Sequence, residues 1–355
     1  MSKDVSSFDG LEAQLGVERR KVDVAAHNFS VRELVRMMVD GEMNIAPEYQ
    51  RKFRWTPQNE ATFVESVFLG LPVPPLFVAT NADFEWEVVD GLQRLSTLVH
   101  FTAGSADMSD LIGRDLPLEL EGLEKLSILN GKSFEDLPRQ IQIYFSRQPL
   151  QVIALTDKSD LEVRFDLFER LNGGSISLSA QEVRACVYRG EFNLLIEKLA
   201  MSEPFASLLK LQKSKQSDAT NVEQVLKFFA YKNSRDRFDG RVTDFLNEFM
   251  HRSSEGSFNY SAETKLFQGA AEALYLACES GPYVRSDFGV TPLVQFEASF
   301  VAAANLISNG VSPVVPPRGW TDDPALKAAS MGGTNTRNQL RLRIERAEAL
   351  LAGDA

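Results

Sequence analysis

Residues 84–103 constrain this chain most: an alternating apolar run, Phe84, Trp86 and Val88, breaks at Asp90-Gly91 and restarts with Leu95, Leu98, Val99 and Thr102 at helical spacing. A period of two followed at once by a period near 3.6 predicts a half-buried strand feeding a helix. Asp90 stands where a carboxylate caps first-turn amides, and Gln93, three residues on, completes the pattern of a capping box. Arg94 falls outside that scheme. A cation in the first turn opposes the helix dipole, at a cost of about 0.3–1 kcal/mol when exposed. Either the guanidinium is simply solvated, or an anion shares the site. Free amides, a glycine permitting close approach and a forked guanidinium together form a phosphate cradle at a strand end.

A chain of 355 residues buries a substantial core and is long enough for two domains. Lysine and arginine number 38 against 49 acidic residues, a net charge of −11. Such an acidic protein is not built for indiscriminate nucleic-acid binding, so any contact of that kind must come from a local patch. Cys186 and Cys278 stand alone, and the start Met-Ser-Lys-Asp-Val has no apolar signal region, which together predict a reducing, cytoplasmic setting. No apolar stretch approaches membrane-spanning length, so no membrane partner is expected. His27, His100 and His251 are too scattered to suggest a metal centre.

Residues 1–20 are polar and unpatterned and read as a flexible tail. Ser30 and Glu33 open a helix with Val31, Leu34, Val35 and Met38 on its apolar side; Thr56-Pro57 opens another, with Phe63, Val64, Val67 and Phe68 inward. Leu71-Pro72-Val73-Pro74-Pro75 cannot be helical, 76–79 and 150–155 read as strands, and Asn130-Gly131 reads as a hairpin turn within 129–134. From 159 onward the pattern is helical: 161–171 ending at Asn172-Gly173-Gly174, a capping box at Ser179 and Glu182, then 222–231, 242–250, 262–278, 292–307 and 336–352. The fold class is therefore α+β, a mixed α/β domain over 21–158 followed by an all-helical domain over 159–355.

Three further constellations could carry chemistry. Arg51 and Arg54 flank Phe53 beside Trp55, an arrangement suited either to clamping a base or phosphate chain or to an ordinary strand with solvated arginines. Asn172-Gly173-Gly174 is a flexible loop or a plain helix end. Lys210, Lys213, Lys215, Lys227, Lys232, Arg235, Arg237 and Arg241 form one basic stretch that either meets DNA phosphates or makes a charged helical face. No phosphate-binding loop of the Gly-x-x-x-x-Gly-Lys-Ser/Thr kind occurs, and no nucleophile, histidine and acid grouping can be read out.

Taken in order, Tyr49-Gln50-Arg51, Phe53, Trp55, Gly70-Leu71-Pro72-Val73-Pro74, Val89-Asp90-Gly91-Leu92-Gln93-Arg94 and Phe168-Glu169-Arg170-Leu171-Asn172-Gly173-Gly174 resemble the N-terminal domain of GmrSD-type restriction enzymes, over about residues 25–190. That family has a ParB-like fold and an Asp-Gly-Gln-Gln-Arg motif; here Asp90, Gly91, Gln93 and Arg94 match, and Leu92 replaces the first glutamine. The resemblance implies a nucleoside triphosphate, with Mg2+ as a companion ion, bound and hydrolysed in the service of restricting modified phage DNA. It gives Asp90, Gln93 and Arg94 the catalytic roles, and Gln50, Arg51, Trp55, Gly91, Arg94, Asn172, Gly173 and Gly174 the nucleotide contacts. Lys213, Lys215, Lys232 and Arg235 are the DNA candidates, and a separate nuclease subunit is the expected partner. A non-catalytic DNA- or partner-binding module and a direct DNA nuclease are the two competing readings.

Overall fold

The computed structural model describes residues 9–20, 23–44, 55–80, 84–102, 112, 114, 117–156, 165, 167, 170, 179–188, 190–215, 218–256 and 258–354. Its contacts divide the chain into two units, Met1–Ser175 and Ile176–Ala355, where the sequence changes character at 158/159.

In the first unit, helices form where caps and apolar spacing agree. The elements are α1 (Asp9–Arg20), β1 (Val24–Ser30), α2 (Val31–Val39), β2 (Met43–Asn44), α3 (Pro57–Phe68), β3 (Leu76–Thr80), β4 (Trp86–Asp90), α4 (Leu92–Thr102), α5 (Arg139–Ser146) and β5 (Pro149–Leu155). Ser30 Oγ accepts the Glu33 amide at 3.3 Å and Thr56 Oγ1 accepts the Asn59 amide at 3.3 Å, so both expected N-caps are in place. The strands form one five-stranded sheet in the order β1-β5-β3-β4-β2. The β1–β5 and β3–β4 pairs are antiparallel, and the β3–β5 and β2–β4 pairs are parallel. Helices α3, α4 and α5 supply an aromatic cluster in which the Phe68 and Phe145 rings lie 4.5 Å apart, Phe101 and Phe145 5.2 Å, and Phe101 and Phe134 5.4 Å.

The regular elements described in the second unit are helices: α6 (Ala180–Val187), α7 (Glu191–Ala200), α8 (Phe205–Leu208), α9 (Thr220–Ser234), α10 (Val242–Glu255), α11 (Tyr260–Ala277), α12 (Leu293–Ser308), α13 (Pro324–Ala329) and α14 (Arg337–Ala352). Helix α12 is buried from Gln295 to Leu306 on every side, the mark of a helix that runs through a core. It packs on α9, α11 and α14, and Phe205, Phe228, Phe267 and Phe300 stack around it, with 4.3 Å between Phe228 and Phe300. The expected capping box is complete: Ser179 Oγ accepts the Glu182 amide at 3.2 Å, and the Ser179 amide donates to Glu182 at 2.7 Å.

Two local expectations change, at Asp9–Arg20 and at residues 129–134, and one strand is added. Asp9–Arg20 is a helix where the sequence offers only a polar tail; Leu11 and Leu15 give it an i, i+4 pair, yet both are exposed. Val24–Ser30 is a strand without clear alternation, held by its register against β5 from Val24–Leu155 to Ser30–Pro149. Residues 129–134 do not form a hairpin. Asn130 there binds the amide and carbonyl of Leu123 at 2.9 and 3.1 Å, which fixes a loop around a single 3-10 turn at Ser127–Leu129. Most of the helix expected over 161–171 lies outside the described residues.

Candidate functional site at the end of strand β4

The junction is built by an irregularity in the sheet. Phe77 pairs with Asp90 and Val78 with Val88, so Val89 is an extra residue and the strand turns just before its end. Gly91 then adopts φ +98°, and a Cβ there would lie 2.3 Å from Leu76 Cδ2. Only glycine fits both conditions. Helix α4 starts at Leu92, with the Leu95 amide donating to Gly91 O at 2.9 Å.

Arg94 is answered from inside the chain. Its Nη2 donates to Asp90 Oδ2 at 2.7 Å, and its Nη1 donates to the carbonyls of Pro74 and of Pro75, the latter at 3.0 Å. The residue is 9% exposed, whereas the Asp90 side chain keeps 36% of its surface. Burial pulls the guanidinium below its usual pKa, against the opposing pull of Asp90. This corrects the capping scheme: Gly91 occupies the position before the helix, and the Asp90 carboxylate takes the arginine. Gln93 reaches the chain ahead of α3. Its Oε1 accepts the Trp55 amide at 3.0 Å, while Arg114 Nη2 donates to Trp55 O at 2.7 Å and the Trp55 ring meets Phe63 edge-on at 5.6 Å. The start of α4 is thereby tied to the chain entering α3. Gln50, Arg51, Phe53 and Arg54, and the loop Asn172, Gly173 and Gly174, lie outside the described residues.

Sequence reasoning passed over a second pair in this unit. His100 Nδ1 and Glu60 Oε1 are 2.7 Å apart in the interior between α3 and α4, and Glu60 is wholly buried. A signal was present: Glu60 shares a helix face with Phe63, Val64 and Val67 at three-, four- and seven-residue spacing.

The basic stretch of the second unit is not one surface. Lys227 is held between Glu223 and Glu297, at 3.0 Å from each. Arg237 pairs with Glu248 at 3.1 Å, and Arg241 with Asp239 at 2.8 Å and Asp244 at 3.0 Å. Arg235 is exposed and reaches Asn305 at 3.4 Å; Lys232 is half-buried on α9. Lys213 and Lys215 stand exposed on a single 3-10 turn. The terminal arginines serve the bundle likewise: Arg343 is buried and donates to the carbonyls of Ala329 and Thr334, both at 3.0 Å, and Arg346 grips Asp323 at 2.7 and 3.0 Å.

Residues 31–189 match the family model described as the GmrSD restriction endonuclease, N-terminal domain. That segment belongs to the GmrSD N-terminal domain family. The GmrSD N-terminal domain runs from the first residue of α2 past α6 and contains the whole Asp90–Arg94 junction, and a domain of that description suggests a component of a restriction system. No curated protein and no solved structure matches the chain. Among the described residues no helix is long and apolar enough to cross a membrane.

Proposed function

We propose that the GmrSD N-terminal domain binds a nucleoside triphosphate at the Asp90–Gly91 junction and passes its occupancy on as the regulatory signal of the restriction system. The observation that carries this reading is Arg94, a buried guanidinium in the first turn of α4 held at 2.7 Å by the carboxylate of the part-exposed Asp90. A phosphate laid on the first turn of α4 adds negative charge beside that cation and meets a backbone that Gly91 leaves bare. Asp90 and the phosphate compete for one guanidinium, so binding exchanges one partner for the other. Gln93 then carries the movement of α4 to Trp55 and α3. Hydrolysis, in this reading, resets the exchange, with Asp90 and Gln93 orienting water once released. Among the described residues no three His, Cys, Asp or Glu side chains group to hold a metal, so in this reading Mg2+ arrives on the phosphates of the nucleotide. Cleavage of DNA falls to a separate nuclease component.

Calorimetric titration of each of the four nucleoside triphosphates, alongside phosphate release, tests the reading. One of them is expected to bind and to raise the melting temperature of the parent. Arg94→Ala should weaken that binding by about 1.5–3 kcal/mol, the scale of a charge-assisted hydrogen bond. It should also lower stability by about 2–3 kcal/mol, because two proline carbonyls lose their donor. Asp90→Asn separates the two effects, since it keeps a hydrogen-bond acceptor for Arg94 while removing the competing charge: it should fold normally and bind more tightly. A parent that binds no triphosphate at millimolar concentration, or a folded Arg94→Ala that binds as the parent does, sinks the proposal.

The DNA-facing part of the proposal keeps Lys213, Lys215, Lys232 and Arg235 and leaves out Lys227, Arg237 and Arg241, which acidic side chains already engage; Lys213 and Lys215 are its exposed lysines. Reversing both lysines to glutamate should reduce the slope of log affinity against log salt by about 2, since each phosphate contact contributes roughly 0.9. An unchanged slope would leave that turn a solvated face.

A further inference from the structure

A cavity of about 290 Å3 opens in the first unit where α2, the C-terminal end of α4 and α5 converge with the loop carrying Phe134. Its charged lining consists of Arg32 and Arg139, and neither guanidinium has an ion pair or a side-chain hydrogen bond with any described residue. Both occupy first-turn positions, Arg32 in α2 and Arg139 in α5, where a cation opposes the helix dipole. Two like charges line one cavity, in a chain whose net charge is −11, and no acidic side chain stands among its described lining residues. The remaining walls are mixed. Phe134 and Ile143 are apolar, and Ser146 supplies a hydroxyl without a partner among the described residues.

The geometry points to a second ligand site here, for a small oxyanion, phosphate ester or carboxylate, joined to a planar apolar body. Two guanidinium forks suit the oxygens of such an anion, which would offset their like charges and favour both helix starts. Phe134 and Ile143 receive the body, Ser146 donates to an oxygen, and the volume is that of a small ligand pocket. This cavity is separate from the Asp90–Gly91 junction. The two lie at opposite ends of α4, an eleven-residue helix about 15 Å long at 1.5 Å per residue. The site therefore stands whether or not the junction binds a triphosphate.

Calorimetric titrations of the full chain with phenyl phosphate, benzoate and inorganic phosphate decide the matter. Phenyl phosphate or benzoate is expected to bind, more weakly as salt rises, and the tighter of the two identifies the anionic group. Arg32→Gln/Arg139→Gln should weaken binding by about tenfold or more at an unchanged melting temperature, since both side chains are exposed and hold nothing together. Ser146→Ala should weaken it less. The proposal is overturned if neither aromatic anion binds, if the double variant binds like the parent, or if inorganic phosphate alone binds as tightly as phenyl phosphate. It is equally overturned if a nucleoside triphosphate displaces the probe in the parent but not in folded Arg94→Ala, because the probe would then occupy the junction.

Discussion

Replacing Lys227 with alanine is expected to destabilise the helical unit by about 3–5 kcal/mol, the range for removing one partner of a buried ion pair. Its ammonium lies 3.0 Å from both Glu223 and Glu297, with 14% of the side chain exposed, against 25% and 5% for the two acids. Burial alone would lower its pKa, but Glu297 and Glu223 outweigh that and hold it above the usual lysine value. Without the lysine, Glu297 is left as a carboxylate inside the packing of α9 against α12. Hydrogen exchange of α9 and α12 amides measures the loss within this unit, which matters in a chain of two units where a single melting temperature blends both. Lys227→Met/Glu297→Leu should recover most of the stability, since an apolar pair of similar volume removes both charges together. If Lys227→Ala alone protects these amides as well as the parent does, the network is ornamental.

The same network sets the response to acid. Burial pushes the Glu223 carboxyl up, but Lys227 and Arg184 more than offset it and hold the group below the usual carboxylate range. A group more acidic when folded than unfolded binds fewer protons in the native state, so its contribution is present above the unfolded pKa of about 4.3 and fades as pH falls through the folded value. Stability of the parent should therefore rise with pH across the acidic range. Lys227→Ala should flatten that rise, because the main cause of the depression is gone.

What the sequence made legible is local. Caps at Ser30, Thr56 and Ser179 need only a hydroxyl within three residues of an amide, and periodicity alone places α9 to α12. The family's junction was legible for the same reason: a strand, an Asp-Gly turn and a helix are neighbours in the chain. The partners of the charged side chains were not. Arg94 binds carbonyls 19 and 20 residues away, and Arg184 binds Glu223 and Asn247 at separations of 39 and 63. In sequence, Lys227 is indistinguishable from Lys213, yet one is core and the other solvent-facing. Charge reads as surface until a tertiary neighbour is known, so in sequence alone the basic stretch and the first-turn arginine both allow external partners. Tertiary structure supplies internal ones, and an external ligand at Arg94 has to displace them.

His100→Ala should destabilise the first unit by about 3–5 kcal/mol, a second loss on the scale of a broken buried pair. Glu60 has no exposed surface, its Oε1 meets His100 Nδ1 at 2.7 Å, and its Oε2 finds no hydrogen-bond partner. Removing the ring leaves a half-satisfied carboxyl group wholly unsatisfied and opens a void between α3 and α4, and both changes act in the same direction. For a unit of this size the loss corresponds to a fall of roughly 10 °C in melting temperature. The consequence reaches the junction, because α4 carries Arg94 at its start and His100 near its end. Loosened packing of α3 on α4 should therefore raise exchange at the amides of Gly91 to Leu95 as well as around His100. His100→Leu/Glu60→Leu, which fills the gap and removes the acid, should restore most of the stability and the slow exchange at the junction. If the double substitution is as unstable as His100→Ala, the pair contributes through its shape alone; if His100→Ala melts with the parent, Glu60 has found another partner and the buried-pair account fails.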